Sequence, residues 1–207
     1  AASLSGGSAL SQTYPVKPVR IIVPAAPGGG VDIMARLLGK ELAASLGQPF
    51  VIENRSPFIP GVETVAKAAP DGHVLLVTTS TYLVNAALHK NLPYDPIRDL
   101  APISVLGSTP MIAVSHPSLP VSSLAGLAAL AKKNPGALNF GSGGNGSMLH
   151  LAGELFKQLA KIDMVHVAYR GTAPAAFDLL AGHVQIMFAS VISMHPHIKA
   201  GKMRVLA

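Results

Sequence analysis

The chain has 207 residues, of which 49% are hydrophobic, and this length suits one large α/β domain or two small lobes. It contains no cysteine, which excludes disulfides, thiolate metal sites and cysteine nucleophiles. The net charge of +6 comes from lysines and arginines that are scattered singly apart from Lys132 and Lys133, a pattern that favours small anions over nucleic acid.

The start of the chain differs from the rest in composition. Residues 1–13 are small and polar, and they are predicted to be a flexible leader that remains after removal of an export signal. No apolar run reaches the roughly 20 residues of a membrane-spanning helix. The sequence therefore predicts an exported protein that is not itself embedded in the membrane, and its lack of cysteine is compatible with the periplasm.

Strand-like runs alternate with helical periodicities after the leader, which predicts an α/β fold of mostly parallel sheets flanked by helices. The first predicted lobe is residues 14–107. Its predicted strands are Val19–Val23, Phe50–Glu53, Val74–Thr79 and Ile103–Leu106. Its predicted helices are Met34–Leu46, stopped by Gly47, then Gly61–Ala69 and Tyr82–His89.

The second predicted lobe is residues 108–207. Its predicted strands are Met111–Ser115, Leu138–Phe140, Met164–Ala168, Val184–Phe188 and a final run, Met203–Ala207. Serine caps and proline mark its helices: Ser123 precedes Leu124–Lys133, Ser147 precedes Met148–Ala160, and Pro174 lies in the first turn of a helix that Gly182 ends.

Three loops that follow predicted strands have the chemistry of an anion site. They are rich in glycine or hydroxyl groups, and each leads into a helix whose first N–H groups and dipole favour negative charge. The loops are Pro27–Asp32, Gly141–Ser147 and Tyr169–Pro174. Together they predict an anion held between two lobes. A plain tight turn with Asp32 as helix cap also explains the first loop, which lacks the GxGxxG and P-loop patterns of nucleotide sites.

Enzyme signatures are mostly missing from the sequence, which contains no GxSxG, HExxH or SxxK motif. One hydrolytic alternative pairs Ser147 as nucleophile with His150 or His166 as base, for a small carboxylate or phosphate ester, but no third group orients that base. His195 and His197 flank a proline and have no acidic residue nearby, so a surface or packing role is predicted for them rather than metal binding. We therefore expect no catalytic residue, no metal site and no cofactor.

A series of segments covers nearly all of the chain after residue 13: YPVKPVR from Tyr14, VPAAPGGGVD, LGQPFVIENR, VAKAAPDGH, NLPYDP, NPGALNFGSGGNGSMLHLAGELF, HVAYRGTAPAAFDLLAGHV and PHIKAGKMRVLA. In this series the chain resembles the solute-binding proteins of tripartite tricarboxylate transporters, the Bug or TctC type. The resemblance implies a type II periplasmic binding fold, in which crossing strands join two α/β lobes that close around a small organic anion, typically a carboxylate. It also implies transient contact with membrane transporter subunits.

Proteins of this family hold a carboxylate chiefly with backbone N–H groups and hydroxyls at strand-to-helix loops. Carried over to this sequence, the resemblance implies a ligand site formed by Ala26, Gly28, Gly29, Asp32, Thr79, Ser80, Ser142, Asn145, Ser147, Thr172 and Ala173. Asp32 belongs to this set either because it contacts the ligand or because it caps the helix that follows the loop.

The sequence departs from the family pattern in three places. Ala25 stands where many relatives have an aromatic residue, and the Ser56–Gly61 segment is shorter and more apolar than the usual glycine-rich turn. Relatives also continue beyond the last predicted strand, so the first lobe is expected to be incomplete and the chain shortened at its C-terminus. The ligand's identity stays open, as does the partner, since a clamp of this kind can also present its ligand to a sensor kinase.

Overall fold

The computed structural model describes residues 14–207, and the predicted leader lies outside them. The first lobe contains β1 (Val19–Val23), α1 (Gly30–Leu46), β2 (Phe50–Asn54), α2 (Phe58–Ala66), β3 (Val74–Leu76) and α3 (Thr81–Leu88). The second lobe contains β4 (Met111–Ser115), α4 (Leu124–Lys133), β5 (Asn139–Ser142), α5 (Met148–Ala160), β6 (Val165–Ala168), α6 (Thr172–Leu180), β7 (Ile186–Ser190), α7 (Val191–Lys199) and β8 (Arg204–Val205). None of these helices is long and apolar enough to cross a bilayer.

The sheet of the first lobe has three parallel strands in the order β2-β1-β3. The central strand, β1, is almost wholly apolar and buried because helices and loops cover both of its faces. Its core joins Val19, Ile21 and Val23 to Ala35 of α1 and Phe50 of β2. This packing fixes the end of β1, and with it the glycine-rich loop that leads into α1.

The sheet of the second lobe has five strands in the order β6-β5-β7-β4-β8. β5 is parallel to both β6 and β7, whereas β4 runs antiparallel to β7 and β8. Neighbouring residues of β7 face different cores: Ile186 packs with Phe140 on one side, and Met187 packs with Leu179 on the other. Because helices cover both faces, β7 reads in the sequence as a continuous apolar run.

The predicted helix boundaries with a capping signal are confirmed. The Ser123 hydroxyl accepts the N–H of Gly126 at 3.1 Å, and the Ser147 hydroxyl accepts the N–H of His150 at 3.1 Å. Gly47 ends α1 in the left-handed conformation, at φ 73°. Such caps satisfy backbone groups that the helix itself leaves unpaired.

The predicted strand Ile103–Leu106 is wrong. Residues 101–110 have no regular secondary structure, and Ile103 and Val105 are 80% and 88% exposed. Their alternating β-branched residues favour an extended backbone, but a strand also needs a hydrogen-bonding neighbour, and the described residues provide none here. The predicted lobe boundary between residues 107 and 108 falls in this segment and stays a prediction.

Several other predicted boundaries shift by a few residues. β3 ends at Leu76 rather than Thr79 because its partner β1 pairs with it only as far as Ile22. α2 begins at Phe58 rather than Gly61, directly after the extended Pro57. β7 runs to Ser190 because β4 pairs with it along its whole length. For both strands the neighbouring strand, rather than the local sequence, sets the limit.

One charged cluster links the two neighbouring strands β1 and β2. Arg20 donates two hydrogen bonds to the carboxylate of Glu53, at 2.6 and 2.8 Å, and Arg55 adds a third at 3.2 Å. The hydrogen bonds from Arg20, together with those from Arg55, lower the pKa of Glu53 from 4.5 to about 2. A carboxylate with a lowered folded-state pKa stabilises the fold above its unfolded pKa, and this stability is lost as the pH falls.

We therefore expect the free energy of unfolding to contain a Glu53 contribution that is complete above pH 4.5 and disappears towards pH 2. Since both partners are partly exposed, the contribution is about 1 kcal/mol. Urea denaturation of the wild type and Glu53→Gln, from pH 7 to acidic pH, checks this: the two should differ at pH 7 and converge in acid. Glu41→Gln, on the exposed face of α1, is the control. A pH-independent difference would contradict the assignment.

Candidate functional site

Loops from the two lobes meet where their strands end. The N–H of Ala26, after β1, donates to the carbonyl of Arg170, after β6, at 3.2 Å. Added Cβ atoms on Gly28 and Gly29 would lie 3.4 Å from Ala173 and 3.6 Å from Thr172, which begin α6. The first and third predicted loops are therefore in van der Waals contact across the lobes.

A second pair of loops meets beside the first. The Thr81 hydroxyl, at the start of α3, accepts the N–H of Met148, at the start of α5, at 3.3 Å. Gly146 packs against Leu88 and Asn85 of α3, where an added Cβ would approach to 3.0 and 3.6 Å. The structure thus brings the loops that carry the predicted site residues together in two cross-lobe pairs.

Asp32 organises the first loop. Its carboxylate accepts the N–H of Gly28 at 2.9 Å, two hydrogen bonds from Arg36 at 3.0 Å, and one from the Asn54 amide at 2.9 Å. Asn54 also donates to the carbonyl of Ala25 at 3.1 Å. Burial opposes ionisation of Asp32, but the hydrogen bonds from Arg36, Gly28 and Asn54 outweigh it and lower the pKa of this carboxyl.

The interpretation of Asp32 as the helix cap is wrong, since the cap of α1 is Gly29. Asp32 lies in the first turn, is only 2% exposed, and reaches back to the loop. Sequence reasoning missed its partners Arg36 and Asn54. The available signals were the four-residue spacing of Arg36 from Asp32 and the position of Asn54 at the end of β2.

Two helix starts at this junction lack a side-chain cap. Gly29 precedes α1 and Gly171 precedes α6, and within residues 14–207 no side chain caps either one. The amides of Ala26 and Gly28 already donate to Arg170 and Asp32. The first-turn amides of α1 and α6 therefore concentrate positive partial charge at the contact between the lobes.

The predicted polar residues of the second lobe have different environments. Ser142 is fully buried, and its hydroxyl accepts the N–H of Gly144 at 3.1 Å. Asn145 is exposed at the tip of the loop, while Ser147 is buried as the cap of α5. In the first lobe, Thr79 and Ser80 are both exposed next to this loop pair.

The hydrolytic arrangement considered from the sequence is not formed. Ser147 accepts a backbone N–H from His150, and its hydroxyl is committed to capping. The His150 imidazole accepts the N–H of Gly146, and the His166 imidazole lies 2.6 Å from the Ser142 hydroxyl. The histidines therefore support the loop rather than activate Ser147. Among the described residues, no group of three metal-ligating side chains comes together.

Two further residues at strand ends were missed by sequence reasoning. The Thr78 hydroxyl, after β3, is buried without a hydrogen-bond partner among the described residues. Ser190 ends β7, and a Cβ added to Gly30 would lie 2.5 Å from its hydroxyl oxygen. Both residues share one sequence feature with the predicted site residues, since each directly follows a buried apolar residue near the end of a strand.

A cavity of about 420 Å³ lies beside the first loop, lined by Asn54, Arg55, Ser56, Pro60, Gly61 and Thr64. The Ser56 hydroxyl points to the carbonyl of Arg170 at 3.4 Å, so the cavity adjoins the cross-lobe contact. Half of its lining residues come from the Ser56–Gly61 segment, which is where the sequence departs from the family pattern.

Comparison with solved structures places this arrangement among periplasmic proteins. A structure described as a periplasmic transporter is 40% identical, with a TM-score of 0.90, over 94% of this chain and 66% of its own. Rpa4515 of R. palustris, solved with adipate, is 34% identical with a TM-score of 0.91 over 94% and 66%. MatC from Rhodopseudomonas palustris, with bound malate, is 33% identical with a TM-score of 0.87 over 94% and 67%.

The comparison of sequences agrees with the comparison of structures. BugT of Bordetella pertussis is 38% identical over 201 residues, which are 95% of this chain and 62% of BugT. The chain spans about six tenths of the length of the curated relatives it matches. Residues 34–207 match the family described as the tripartite tricarboxylate transporter family receptor. The chain therefore belongs to this receptor family, a conclusion that its similarity to BugT supports.

Proposed function

We propose that the chain captures a small dicarboxylate between its two lobes and delivers it to the membrane subunits of a tripartite transporter in the periplasm. The observation that carries this proposal is the meeting of α1 and α6, whose starts have no side-chain cap and lie on opposite lobes. An anion at this point receives hydrogen bonds from both lobes at once.

The chemistry of the junction favours a carboxylate. Its donors are backbone amides together with the hydroxyl of Thr172. Arg170 is exposed on the same loop as the start of α6, and the chain's net charge of +6 attracts anions generally. Since the amides of Ala26 and Gly28 are engaged, we assign the direct donors to Gly29 and the first turns of α1 and α6.

Two structural neighbours indicate the ligand class. One was solved with adipate and the other with malate, which are both dicarboxylates of different length. The cavity beside Ser56 and Arg55 provides room for the second carboxylate of such a ligand. The shorter, more apolar segment that lines it sets the preferred ligand length.

The mechanism is a shift between open and closed lobes. A ligand that contacts both lobes binds the closed state more tightly, so it increases the population of that state. The transporter subunits then recognise the closed lobes. A transporter is the preferred partner over a sensor kinase because the matching family is one of transporter receptors.

A thermal-shift screen with malate, adipate, citrate, adipamide and phosphate tests the proposal. A ligand at about 100 times its dissociation constant adds about 2.7 kcal/mol of stability. For a chain of this size, that raises the melting temperature by roughly 5–10 °C. We expect this shift for at least one dicarboxylate. Adipamide, which has the same shape as adipate without the charges, should give none.

Each of the other outcomes would change or contradict the proposal. Equal shifts with adipamide would exclude recognition by charge, and a shift with phosphate alone would replace the carboxylate by another anion. Absence of any shift would contradict ligand capture by this chain. The site itself is tested by Thr172→Val, which removes the hydroxyl but keeps the shape of the side chain, and which should reduce the dicarboxylate shift by more than half.

A further inference from the structure

Two stacked imidazole rings lie beneath the loop between β5 and α5. His150 is in the first turn of α5 and His166 is on β6. Their ring centroids are 4.0 Å apart, with an angle of 21° between the ring planes. Phe140 of β5 continues the stack below His166, at a centroid distance of 4.9 Å. The rings are therefore held rigidly between the sheet and the helix.

Each ring supports one side of the loop tip. The Nδ1 atom of His150 accepts the N–H of Gly146 at 3.2 Å. The Nε2 atom of His166 is 2.6 Å from the Ser142 hydroxyl, which accepts the N–H of Gly144 at 3.1 Å. These two amides flank Asn145, the exposed residue of the loop. The position of Asn145 thus depends on both rings.

Few charges face this pair. On α5, Glu154 lies 4.0 Å from the Nε2 atom of His150, and Lys157 pairs with Glu154 at 3.0 Å. The residues of α3 that face the loop, Thr81 and Asn85, are uncharged, as are those of β5. Burial, followed by the nearby His150, lowers the pKa of His166 to about 4. His166 therefore stays uncharged in mildly acidic solution.

We infer that His150 is a positioning residue whose neutral ring holds the Gly143–Ser147 loop in place beside Gly171 and Thr172 at the start of α6, so that protonation of this ring lowers the affinity for the ligand. The geometric reason is that a proton on Nδ1 would face the N–H of Gly146, placing two donors against each other. A charged ring would also stack on His166 at 4.0 Å in a partly buried site. The inference about affinity depends on the proposed function, whereas the inference about the loop does not.

The loop is tested first without ligand, by NMR. We expect the amide signal of Gly146 to move as the pH falls from 8 to 5.5 in the wild-type chain. In His150→Asn the signal of Gly146 should not move, because the amide oxygen of asparagine can accept the same N–H without titrating. His195→Asn, an exposed histidine of α7, is the control and should behave like the wild type. Equal movement of Gly146 in all three proteins would overturn the inference.

The affinity is tested next with malate or adipate, whichever gives the larger thermal shift. We expect wild-type affinity to fall between pH 8 and pH 5.5 by at least threefold more than that of His150→Asn. Ligand protonation affects both proteins equally and cancels in this ratio. His150→Leu, which has no acceptor, should bind weakly at both pH values. If the affinities of the wild type and of His150→Asn fall by the same factor between pH 8 and pH 5.5, the inferred role of His150 in affinity is overturned. If no dicarboxylate binds the wild type at pH 8, the proposed function fails, while the NMR result still decides the inference about the loop.

Discussion

Replacing Gly29 by valine lowers the affinity for a dicarboxylate roughly tenfold to a hundredfold. Gly29 has an extended backbone, at φ −77° and ψ 165°, which any residue adopts, so the substitution does not strain the loop itself. The added methyl groups instead meet Thr172 on the other lobe, whose Cβ lies 3.6 Å from an ideal Cβ at this position. Overpacking of this kind costs about 1–3 kcal/mol. It destabilises only the closed state, in which the two loops are in contact. Isothermal titration with malate or adipate measures the loss.

Gly29→Ala is the matched control. Its single methyl group makes an ordinary van der Waals contact with Thr172, so its affinity should stay within about threefold of the wild type. Thr172→Ser keeps the hydroxyl but removes the opposing methyl, and it should partly restore the affinity of Gly29→Val. Because the proposed open state separates the two loops, the melting temperature without ligand should be the same in all of these proteins. Wild-type affinity in Gly29→Val would show that contact between these two loops is not part of the bound state.

Replacing Gly153 by alanine destabilises the second lobe by about 2 kcal/mol. A Cβ at this position in α5 would lie 2.2 Å from Cε2 of Phe140, and the Phe140 ring is fully buried. Overpacking costs about 1–3 kcal/mol, against a gain of at most about 1 kcal/mol from the better helix propensity of alanine. For a chain of this size the melting temperature should fall by roughly 4–8 °C, measured by calorimetry or circular dichroism.

Gly126→Ala is the control for this prediction. It is also a helix position, in α4, but the nearest atom to an added Cβ is the Ser123 hydroxyl oxygen at 3.4 Å. Its stability should be unchanged or slightly higher. Combining Gly153→Ala with Phe140→Leu should recover part of the loss, because the smaller side chain relieves the contact. Equal melting temperatures for Gly153→Ala and Gly126→Ala would show that α5 moves away from Phe140 at little cost.

The site could be predicted from the sequence only in part. Loop positions followed from glycines and hydroxyl residues placed directly after apolar runs, as at Gly28, Gly29 and Thr172. The hydrogen-bond partners that hold these loops in place did not follow from the sequence. Asp32 accepts hydrogen bonds from Asn54, which is 22 residues away, and Ser142 contacts His166, which is 24 residues away. No local pattern encodes such pairs.

The sequence by itself determined the elements whose signals are local. Hydrophobic periodicity, serine caps at Ser123 and Ser147, and the glycine stop at Gly47 depend on interactions within a few residues, and the structure confirms each. Only the tertiary structure decided the rest. Residues 101–110 form no strand, because a strand requires a neighbour that local sequence cannot supply. The pairing of glycine loops across the lobes likewise arises from packing between residues distant in the chain, such as Gly29 and Thr172.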